Sequence, residues 1–351
     1  MSARSFLRKL AIAVGSLVVL ACLAELAARC AEPGPMSLYD VSPYVRDPKL
    51  PHVHIKNFRG AWDGTYYEIN SRGWRGPEYE PKFDASEYRV VALGDSATFG
   101  KGVEERDCWP RQLERDLQAE LGDSRKALVA NLGVNGYAGK DYFEVFLTQA
   151  LPLKPQLVVI AYSLNDFPNV LQKVDAQVFQ NKTNLRSKIP YDLRNQLGTL
   201  ASFRWLRATL YEFNRDADLQ AVEKQATQAG AGDGGSPERM KQESERLQRI
   251  VHECDAIRAH LVVFLLPYES QVYLASYSRA PIESLHSAVE PLGIAYLDVV
   301  EPFRSAARKT DPLARLFIRG DRYHPNAAGY GIVAQAVAGV VRAQRWLTAE
   351  H

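Results

Sequence analysis

Short, continuous apolar runs alternate with longer helical patterns along most of the chain. Five of these runs are rich in Val, Leu and Ile, and they lie at residues 89–93, 127–134, 156–162, 260–266 and 293–297. Runs of this length and composition are typical of strands that a parallel sheet buries on both faces. Because helical patterns separate the runs, the sequence predicts an α/β fold in which helices sandwich a five-stranded parallel sheet.

Helical periodicity is clearest between the first two runs. Residues 109–121 place an apolar side chain at every fourth position, and Pro110 suits a first turn. Further helices are predicted over 244–258, before the fourth run, and over 327–344, where one side is apolar. Together the runs and helices predict one domain at residues 87–346.

The interval between the third and fourth runs, at about residues 167–243, is far longer than a crossover requires. We interpret it as an insertion in the domain. It contains an amphipathic candidate helix at about 197–213, followed by a Gly-rich flexible loop within 227–238. The helix fits two roles, a lid over the site or ordinary packing against the domain.

Residues 1–30 have the pattern of a membrane-directing segment. Basic residues up to Lys9 precede the uncharged apolar run Leu10–Ala24, and the apolar character resumes after Glu25. The whole stretch reaches the length of about 20 residues that a transmembrane helix needs. Because the basic residues lie on the amino-terminal side, we expect a single-pass signal anchor with the rest of the chain outside the cytoplasm, in the periplasm.

Two alternatives to an uncleaved anchor stay open. The segment also fits a cleaved signal peptide, and Cys22 follows Val19-Leu20-Ala21 in an arrangement resembling a lipoprotein processing site. The apolar run continues beyond Cys22, which favours the uncleaved anchor.

An extension at residues 31–86 links the anchor to the domain. It is rich in Pro, Gly, Tyr and Trp and has no helical period, which indicates an irregular or short-stranded segment. Its turn-rich part, Asn70–Gly76, could approach a ligand. The pair His52 and His54 has no third ligand nearby, so it is interpreted as a strand or surface pair rather than a metal site.

Charge and cysteine content exclude some functions. The formal net charge is +2, from 43 basic and 41 acidic residues, and no basic run is present, so nucleic acid is not an expected partner. The 4 cysteines form no Cys-x-x-Cys pair, which indicates neither a zinc site nor a disulfide framework. One bridge between Cys108 and Cys254 stays open.

Polar residues follow several of the predicted strands, where ligands bind in parallel α/β sheets. Ser96 follows the first strand, Gly133 lies at the end of the second, Asn165 follows the third, and His324 lies in the last loop. Acyl transfer requires a hydroxyl, a base, a group that orients the base and donors to the oxyanion. All of these residue types are present.

The last loop supplies a base and its orienting group. Asp321 precedes His324 by three residues, a separation that one tight turn brings into contact. Pro325 disfavours a helical conformation at His324 and suits the first turn of the following helix. The imidazole would then lie at a helix amino terminus, where the dipole favours the neutral form that a base needs.

These motifs resemble those of the SGNH (GDSL-type) hydrolases. The resemblance spans about residues 89–329 and comprises Gly94-Asp95-Ser96, the glycine of Asn131-Leu132-Gly133, Asn165-Asp166 and Asp321-x-x-His324. It implies a three-layer α/β/α sandwich with a flavodoxin-like sheet. It also implies that Ser96 is the nucleophile, His324 the general acid/base and Asp321 its orienting residue. The backbone N–H groups of Ser96 and Gly133 and the side-chain amide of Asn165 would form the oxyanion hole, with no cofactor and no metal.

Two positions depart from the family pattern. Ala97 stands where a large apolar residue often follows the serine, and Ser163 replaces the usual glycine two residues before the oxyanion asparagine. Both changes bear on the size of the acyl pocket rather than on the catalytic groups.

The leading hypothesis is a serine esterase that cleaves a small acyl ester, such as an O-acetyl group, through a covalent acyl-enzyme. Its substrate would be a small-molecule, glycan or lipid ester. The alternatives are an O-acyltransferase that modifies an envelope polysaccharide or peptidoglycan, and a catalytically silent envelope-assembly or glycan-binding protein.

Overall fold

The computed structural model describes residues 3–31, 41–166, 191–228, 237–275, 277–309 and 315–347. Within these ranges the strands are β1 (Tyr44–Val45), β2 (Val53–His54), β3 (Arg59–Trp62), β4 (Thr65–Glu68), β5 (Glu87–Gly94), β6 (Lys126–Asn131), β7 (Leu157–Tyr162), β8 (His260–Leu265) and β9 (Ala295–Leu297). The helices are α1 (Ala3–Ala31), α2 (Ser96–Phe99), α3 (Trp109–Leu121), α4 (Gly139–Val145), α5 (Tyr191–Gly198), α6 (Ala201–Gln228), α7 (Pro237–Ala256), α8 (Glu269–Tyr273), α9 (Ala280–Val289), α10 (Val300–Lys309) and α11 (Ala327–Ala343).

The five predicted apolar runs form one parallel sheet in the order β6-β5-β7-β8-β9. At its centre Val91 of β5 pairs with Val158 of β7, and Val158 pairs with Leu261 of β8. Every residue of β5 and of β7 is buried, which is why these strands are continuously apolar. The predicted α/β fold is therefore confirmed.

Helices cover both faces of the sheet. Alternate side chains of β5 enter different cores: Val90 and Ala92 pack with α3 and α11, whereas Val91 and Leu93 pack with α4 and α7. This alternation follows from the two-residue period of a strand. The result is the three-layer sandwich that the sequence resemblance implies.

The strand order places the site. From β5 the chain moves outward to β6 and then crosses to β7, so the connections after β5 and β6 run to opposite sides. In open α/β sheets, such a switch point leaves a crevice at the carboxyl ends of the strands, where ligands bind. Ser96 directly follows the carboxyl end of β5 at this crevice.

The extension consists of short strands with a small core of its own. Strands β1 and β2 pair antiparallel, and β3 and β4 form a hairpin whose Asp63-Gly64 turn has φ of 49° and 77°, the left-handed pair typical of a two-residue hairpin turn. Phe58, Tyr67 and Ile69 pack with Phe99 of α2. The extension is therefore joined to the helix that begins at Ser96.

Helix boundaries differ from the predictions mainly around the insertion. Helix α3 lies at its predicted residues, whereas α7 begins earlier, at Pro237, a residue that suits a first turn. Instead of one helix at 197–213, the chain forms α5 and the much longer α6, separated at Thr199 and Leu200. Residues 167–190 and most of the predicted Gly-rich loop lie outside the described residues.

The amino-terminal helix α1 is 29 residues long and exposed along nearly all of its length. Its length and apolar composition suffice to cross a membrane, and a signal sequence has the same properties. Cys22 and Cys30 are exposed on it, whereas Cys108 and Cys254 are buried elsewhere. All four thiols are free, so the bridge that the sequence left open is not formed.

Candidate active site

The loop between β5 and α2 holds Ser96 at the start of a short helix. Asp95 caps this helix, since its Oδ1 accepts a hydrogen bond of 2.9 Å from the Ala97 N–H. The chain approaches its neighbours closely here, because a Cβ on Gly94 would lie 2.1 Å from Oγ1 of Thr98 and 2.8 Å from the carbonyl of Ala161. Only glycine fits this approach, which presents Ser96 at the edge of the sheet.

Ser96, His324 and Asp321 form a continuous chain of hydrogen bonds. Oγ of Ser96 lies 2.8 Å from Nε2 of His324, and Nδ1 of His324 lies 2.7 Å from Oδ2 of Asp321. With the carboxylate accepting from Nδ1–H, Nε2 is left to accept from the serine hydroxyl. The structure thus brings Ser96 together with a pair of residues that lies more than two hundred positions further along the chain.

Asp321 is held as an anion by its own loop. Burial alone would raise the pKa of Asp321, but the neighbouring His324 and backbone hydrogen bonds outweigh it and hold that pKa well below its usual range. Oδ1 of Asp321 accepts N–H bonds from Tyr323 at 2.7 Å and from His324 at 3.1 Å. The carboxylate therefore stays charged and fixed relative to the imidazole.

Asn165 lies beside the loop between β5 and α2, at the carboxyl end of β7. Burial raises the pKa of Asp95, and hydrogen bonds from the side chains of Ser163 and Asn165 partly oppose this shift. Asn165 itself is exposed. Its amide is therefore tied to Asp95, next to Ser96, while remaining open to a ligand.

Gly133 packs tightly against α2. A Cβ at this position would lie 2.3 Å from the backbone nitrogen of Phe99 and 2.7 Å from the carbonyl carbon of Thr98. The Gly133 N–H donates a 3.0 Å hydrogen bond to Oδ1 of Asn131, and Nδ2 of Asn131 donates to the carbonyl of Thr98 at 2.9 Å. Of the three expected oxyanion donors, the Gly133 N–H thus already has an acceptor.

Asp166 stabilises the turn after β7, next to Asn165. Its Oδ2 accepts hydrogen bonds from the Ser163 N–H at 2.8 Å and from the Tyr142 hydroxyl at 3.0 Å. Burial and the nearby Asp95 carboxyl raise the pKa of Asp166 well above its usual value. The Asn-Asp motif thus combines an exposed amide with a buried, bracing carboxyl.

The two departures from the family pattern are both buried. Ala97 packs in the core beneath α2, and Ser163 lies against Asp95. Each therefore bears on the packing beneath the loop that carries Ser96.

Arg75 is a functional candidate that sequence reasoning missed. Its guanidinium is buried and donates hydrogen bonds to the carbonyls of Phe99 at 2.6 Å, Val103 at 2.6 Å and Gly100. It also lies over the rings of Tyr67 and Phe99. Through Arg75, the segment Asn70–Gly76 thus binds the carboxyl end of the helix that carries Ser96. The only sequence signal was an arginine within a turn-rich segment.

A cavity of about 610 Å³ lies between the extension and the loop after β6. Its walls include Leu132, Val134 and Tyr137 from that loop, together with exposed Arg72 and Phe83 from the extension. Ser96, Asp321 and His324 do not belong to its lining. It is therefore separate from the cleft of these three residues.

Across the part of the chain that the structure describes, no cluster of three or more His, Cys, Asp or Glu side chains could hold a metal ion. His52 and His54 direct ring nitrogens to the carbonyls of Asn135 and Gly73, at 2.8 and 3.0 Å. Burial lowers the pKa of His54 to about 4, which keeps that ring neutral.

Comparison with solved structures finds similar folds at low identity. An α/β hydrolase enzyme from the metagenome of Lake Arreo is 16% identical, with 75% of this chain and 97% of that one covered and a TM-score of 0.44. An acetylxylan esterase from Geobacillus stearothermophilus is 15% identical, with 75% and 95% covered and a TM-score of 0.42. The structure of TesA is 14% identical, with 73% and 98% covered and a TM-score of 0.43.

No curated protein sequence matches the chain. A family model does: the one described as the GDSL-like lipase/acylhydrolase family matches residues 92–332, well over half of the 351 residues. This match begins in the strand before Ser96 and extends past His324. The chain therefore belongs to the GDSL-like lipase/acylhydrolase family and is a serine hydrolase of the SGNH type.

Proposed function

We propose that the protein is an ester hydrolase in which Ser96 is the nucleophile, His324 the general acid/base and Asp321 the residue that orients the imidazole. The observation that carries this proposal is a pair of hydrogen bonds: Nδ1 of His324 donates to Oδ2 of Asp321 at 2.7 Å, and the Ser96 hydroxyl donates to Nε2 of His324 at 2.8 Å. An imidazole between a carboxylate and a hydroxyl is the arrangement that acyl transfer requires.

The reaction follows from these contacts. Nε2 of His324 accepts the Ser96 hydroxyl proton while Oγ bonds to the acyl carbon, and the carbonyl oxygen becomes an oxyanion. Collapse of this intermediate breaks the bond to the alkoxide, which takes the proton from His324 and leaves as the alcohol. Water then attacks the acyl-enzyme, with His324 again accepting a proton, and releases the acid and free Ser96.

The oxyanion needs donors aimed at the position where its charge develops. The Ser96 N–H, at the first turn of α2, and the Asn165 amide are the donors best supported by the geometry. Gly133 contributes only if its N–H turns away from Oδ1 of Asn131, the acceptor it now has. Asn131 therefore decides whether the third donor is available.

We propose that the acyl group of the substrate, which forms the acyl-enzyme and is released as the acid, is short. Ser96 is only 8% exposed, which favours a small acyl chain, such as acetyl, over a long one. The alcohol part of the ester lies outside the acyl pocket, past the exposed Asn165.

We further propose that α1 is retained as a membrane anchor, with its amino terminus in the cytoplasm and the enzyme in the periplasm. Arg4, Arg8 and Lys9 on the amino-terminal side support this orientation. Retention is supported by Glu25 of α1, whose carboxylate accepts the N–H groups of Ala201 at 3.0 Å and Ser202 at 2.9 Å. Removal of α1 would leave the first turn of α6 without these acceptors.

Acyl transfer to a glycan hydroxyl is a second candidate. The 610 Å³ cavity beside the Gly133 loop favours it, because exposed Phe83 and Arg72 offer an apolar ring and a donor to a sugar. In that reaction a sugar hydroxyl, rather than water, attacks the acyl-enzyme and takes the acyl group from Ser96.

The test uses the full-length protein in detergent with a series of p-nitrophenyl esters from acetyl to octanoyl. We expect hydrolysis with an optimum at short chains, and loss of activity in Ser96→Ala. Phosphonate labelling of Ser96 serves as a second readout of nucleophilicity. Transfer of acetyl to a glycan acceptor without released acid would replace the hydrolase by the transferase. Inertness toward both esters and phosphonate would overturn the proposal in favour of a silent glycan-binding protein.

A further inference from the structure

Helix α6 has two faces of different character. One face packs against the domain through Ala208, Tyr211 and Arg215, all of which are buried. The opposite face exposes Leu206, Leu210 and Phe213, spaced as neighbours along one helix side. Phe213 is 88% exposed, an unusual state for so large an apolar side chain in water.

The exposed apolar character is confined to the first half of the helix. Beyond Phe213 the outward positions include Asp216, Gln220 and Lys224, all exposed. A helix that faced only water would have no reason to divide its outer face in this way. The first half of α6 therefore presents an apolar surface that the second half lacks.

The apolar half begins directly beside α1. Glu25 accepts hydrogen bonds from the N–H of Ala201, at 3.0 Å, and from the N–H and hydroxyl of Ser202, at 2.9 and 2.7 Å. Arg29 completes the contact with a 2.8 Å ion pair to Glu25. The start of α6 is thus fixed at the carboxyl end of the apolar stretch of α1.

We propose that the first half of α6 lies in the membrane interface, with Leu206, Leu210 and Phe213 inserted among the lipids. This inference rests on the proposed anchorage by α1. At 1.5 Å per residue, Leu206 lies about 7 Å and Phe213 about 18 Å along the axis from Ala201. A helix running out along the membrane normal would carry Phe213 past the headgroups, whereas one lying in the plane keeps the whole apolar patch in contact.

The rim of this patch matches an anionic lipid surface. Exposed Arg207 lies on α6, and exposed Arg319 lies over the ring of Trp205, with 5.8 Å between its guanidinium carbon and the ring centroid. Arg319 also donates a 2.8 Å hydrogen bond to Oγ1 of Thr209. Tryptophan and arginine side chains together are typical of the headgroup region.

This placement brings the catalytic loop close to the lipid. The inner face of α6 touches the loop that carries Asp321 and His324, since a Cβ on Gly320 would lie 2.9 Å from Cα of Ala208. A helix with its side chains is about 10–12 Å across, so Gly320, four residues before His324, would lie roughly one helix thickness from the bilayer. The substrate class that fits is an acyl ester on an amphiphile held in the membrane surface.

Depth-dependent quenching tests the placement of α6. The full chain, with Cys22→Ser and Cys30→Ser, would carry one added cysteine, as Leu206→Cys, Leu210→Cys, Phe213→Cys or the control Gln220→Cys, labelled with a fluorophore. Cys108 and Cys254 are buried and escape labelling. In phosphatidylethanolamine and phosphatidylglycerol vesicles containing a spin-labelled lipid, we expect at least threefold stronger quenching at the first three positions than at Gln220→Cys.

Equal, weak quenching at all four positions, with the protein still in the vesicle fraction after an alkaline wash, would overturn the inference and indicate a protein partner for the patch. Release of the protein by the wash would instead contradict the anchorage by α1. The two failures are thus distinguishable.

The substrate class has its own test. In a Leu206→Asp/Leu210→Asp variant, we expect hydrolysis of a short-chain acyl ester of a vesicle lipid to fall at least tenfold relative to hydrolysis of p-nitrophenyl acetate. Gln220→Asp, on the polar half of α6, should leave this ratio of rates unchanged. A double variant with an unaltered ratio would overturn the assignment of a membrane-held substrate.

Discussion

The guanidinium of Arg75 donates a 2.6 Å hydrogen bond to the carbonyl of Phe99, the last residue of the helix that begins at Ser96. The carboxyl end of a helix presents carbonyls without intrahelical partners and a partial negative charge, which a cation satisfies. Arg75 also reaches the carbonyls of Gly100 and Val103. A residue of the extension therefore holds the helix that begins at Ser96, the proposed nucleophile.

Replacement of Arg75 tests this positioning. Arg75→Gln leaves up to three buried carbonyls without a donor, at about 1–3 kcal/mol each, so we expect a loss of roughly 3 kcal/mol in unfolding free energy. We also expect kcat for p-nitrophenyl acetate to fall at least tenfold with KM little changed, because Ser96 moves while the crevice persists. Steady-state kinetics and urea denaturation of the full chain measure both effects.

A conservative variant at Arg75 and a control variant at Arg72 test whether the effect is specific to Arg75. Arg75→Lys preserves the charge but places its three N–H donors on a single nitrogen, so part of kcat should return. Arg72→Gln, three residues earlier in the same segment but exposed, should change stability by less than about 0.5 kcal/mol. Equal effects of Arg72→Gln and Arg75→Gln would contradict a specific role for Arg75.

The sheet and the contact between Asp321 and His324 were predictable because both rest on local sequence patterns. Strands buried on two faces are continuously apolar, as in β5 and β7, and Asp321 and His324 are separated by a single turn. Arg75 was not predictable in its role, because its partners are backbone carbonyls, which have no sequence signature. The same holds for α6, whose packing depends on the close fit of Ala208 and Gly320, residues distant in the chain.

The side-chain amide of Asn165 is expected to stabilise the oxyanion. Asn165→Ala should lower kcat by about 10²–10³ with KM nearly constant, the effect of removing one preorganised donor. Initial rates with p-nitrophenyl acetate provide the measurement. Asn135→Ala, at a half-buried position in the loop after β6, is the control and should retain most activity. A loss below threefold in Asn165→Ala would remove this residue from the oxyanion hole.

Alanine substitution is expected to have opposite effects on stability at Gly133 and at Gly339. Gly133→Ala forces a Cβ to within 2.3 Å of the Phe99 nitrogen, and overpacking against fixed backbone costs about 1–3 kcal/mol or more. We expect lower stability and a loss of activity, because α2 must shift with Ser96. Gly339→Ala, on α11 with nothing within 4 Å of the new Cβ, should instead stabilise by about 0.5–1 kcal/mol. Thermal unfolding compares the stability of the two variants. Unchanged stability in Gly133→Ala would contradict the prediction and show that the loop around Gly133 shifts to accommodate the new Cβ.

Asp166 predicts a pH dependence of stability with a defined sign. Its pKa is raised in the folded protein by burial and by Asp95, whereas an unfolded aspartate titrates near about 3.9. Above that pH the folded state binds more protons than the unfolded state, so the unfolding free energy must fall as pH rises toward the folded pKa. The limiting slope for one such group is about 1.4 kcal/mol per pH unit. The lowered pKa of Asp321 has the opposite effect: its contribution to the unfolding free energy falls as pH decreases, and only below about pH 4.

Asp166→Asn separates this contribution from the others. The amide oxygen can still accept the Ser163 N–H, and the amide nitrogen can donate to the Tyr142 hydroxyl, so the contacts of the folded state survive. Urea denaturation between pH 5 and 8 should give a flatter stability profile for Asp166→Asn than for the unmodified protein. The variant should also be equally or more stable at pH 8, since no buried carboxyl needs to ionise. Parallel profiles for the two proteins would mean that Asp95, which shares the raised pKa, or another group carries the dependence.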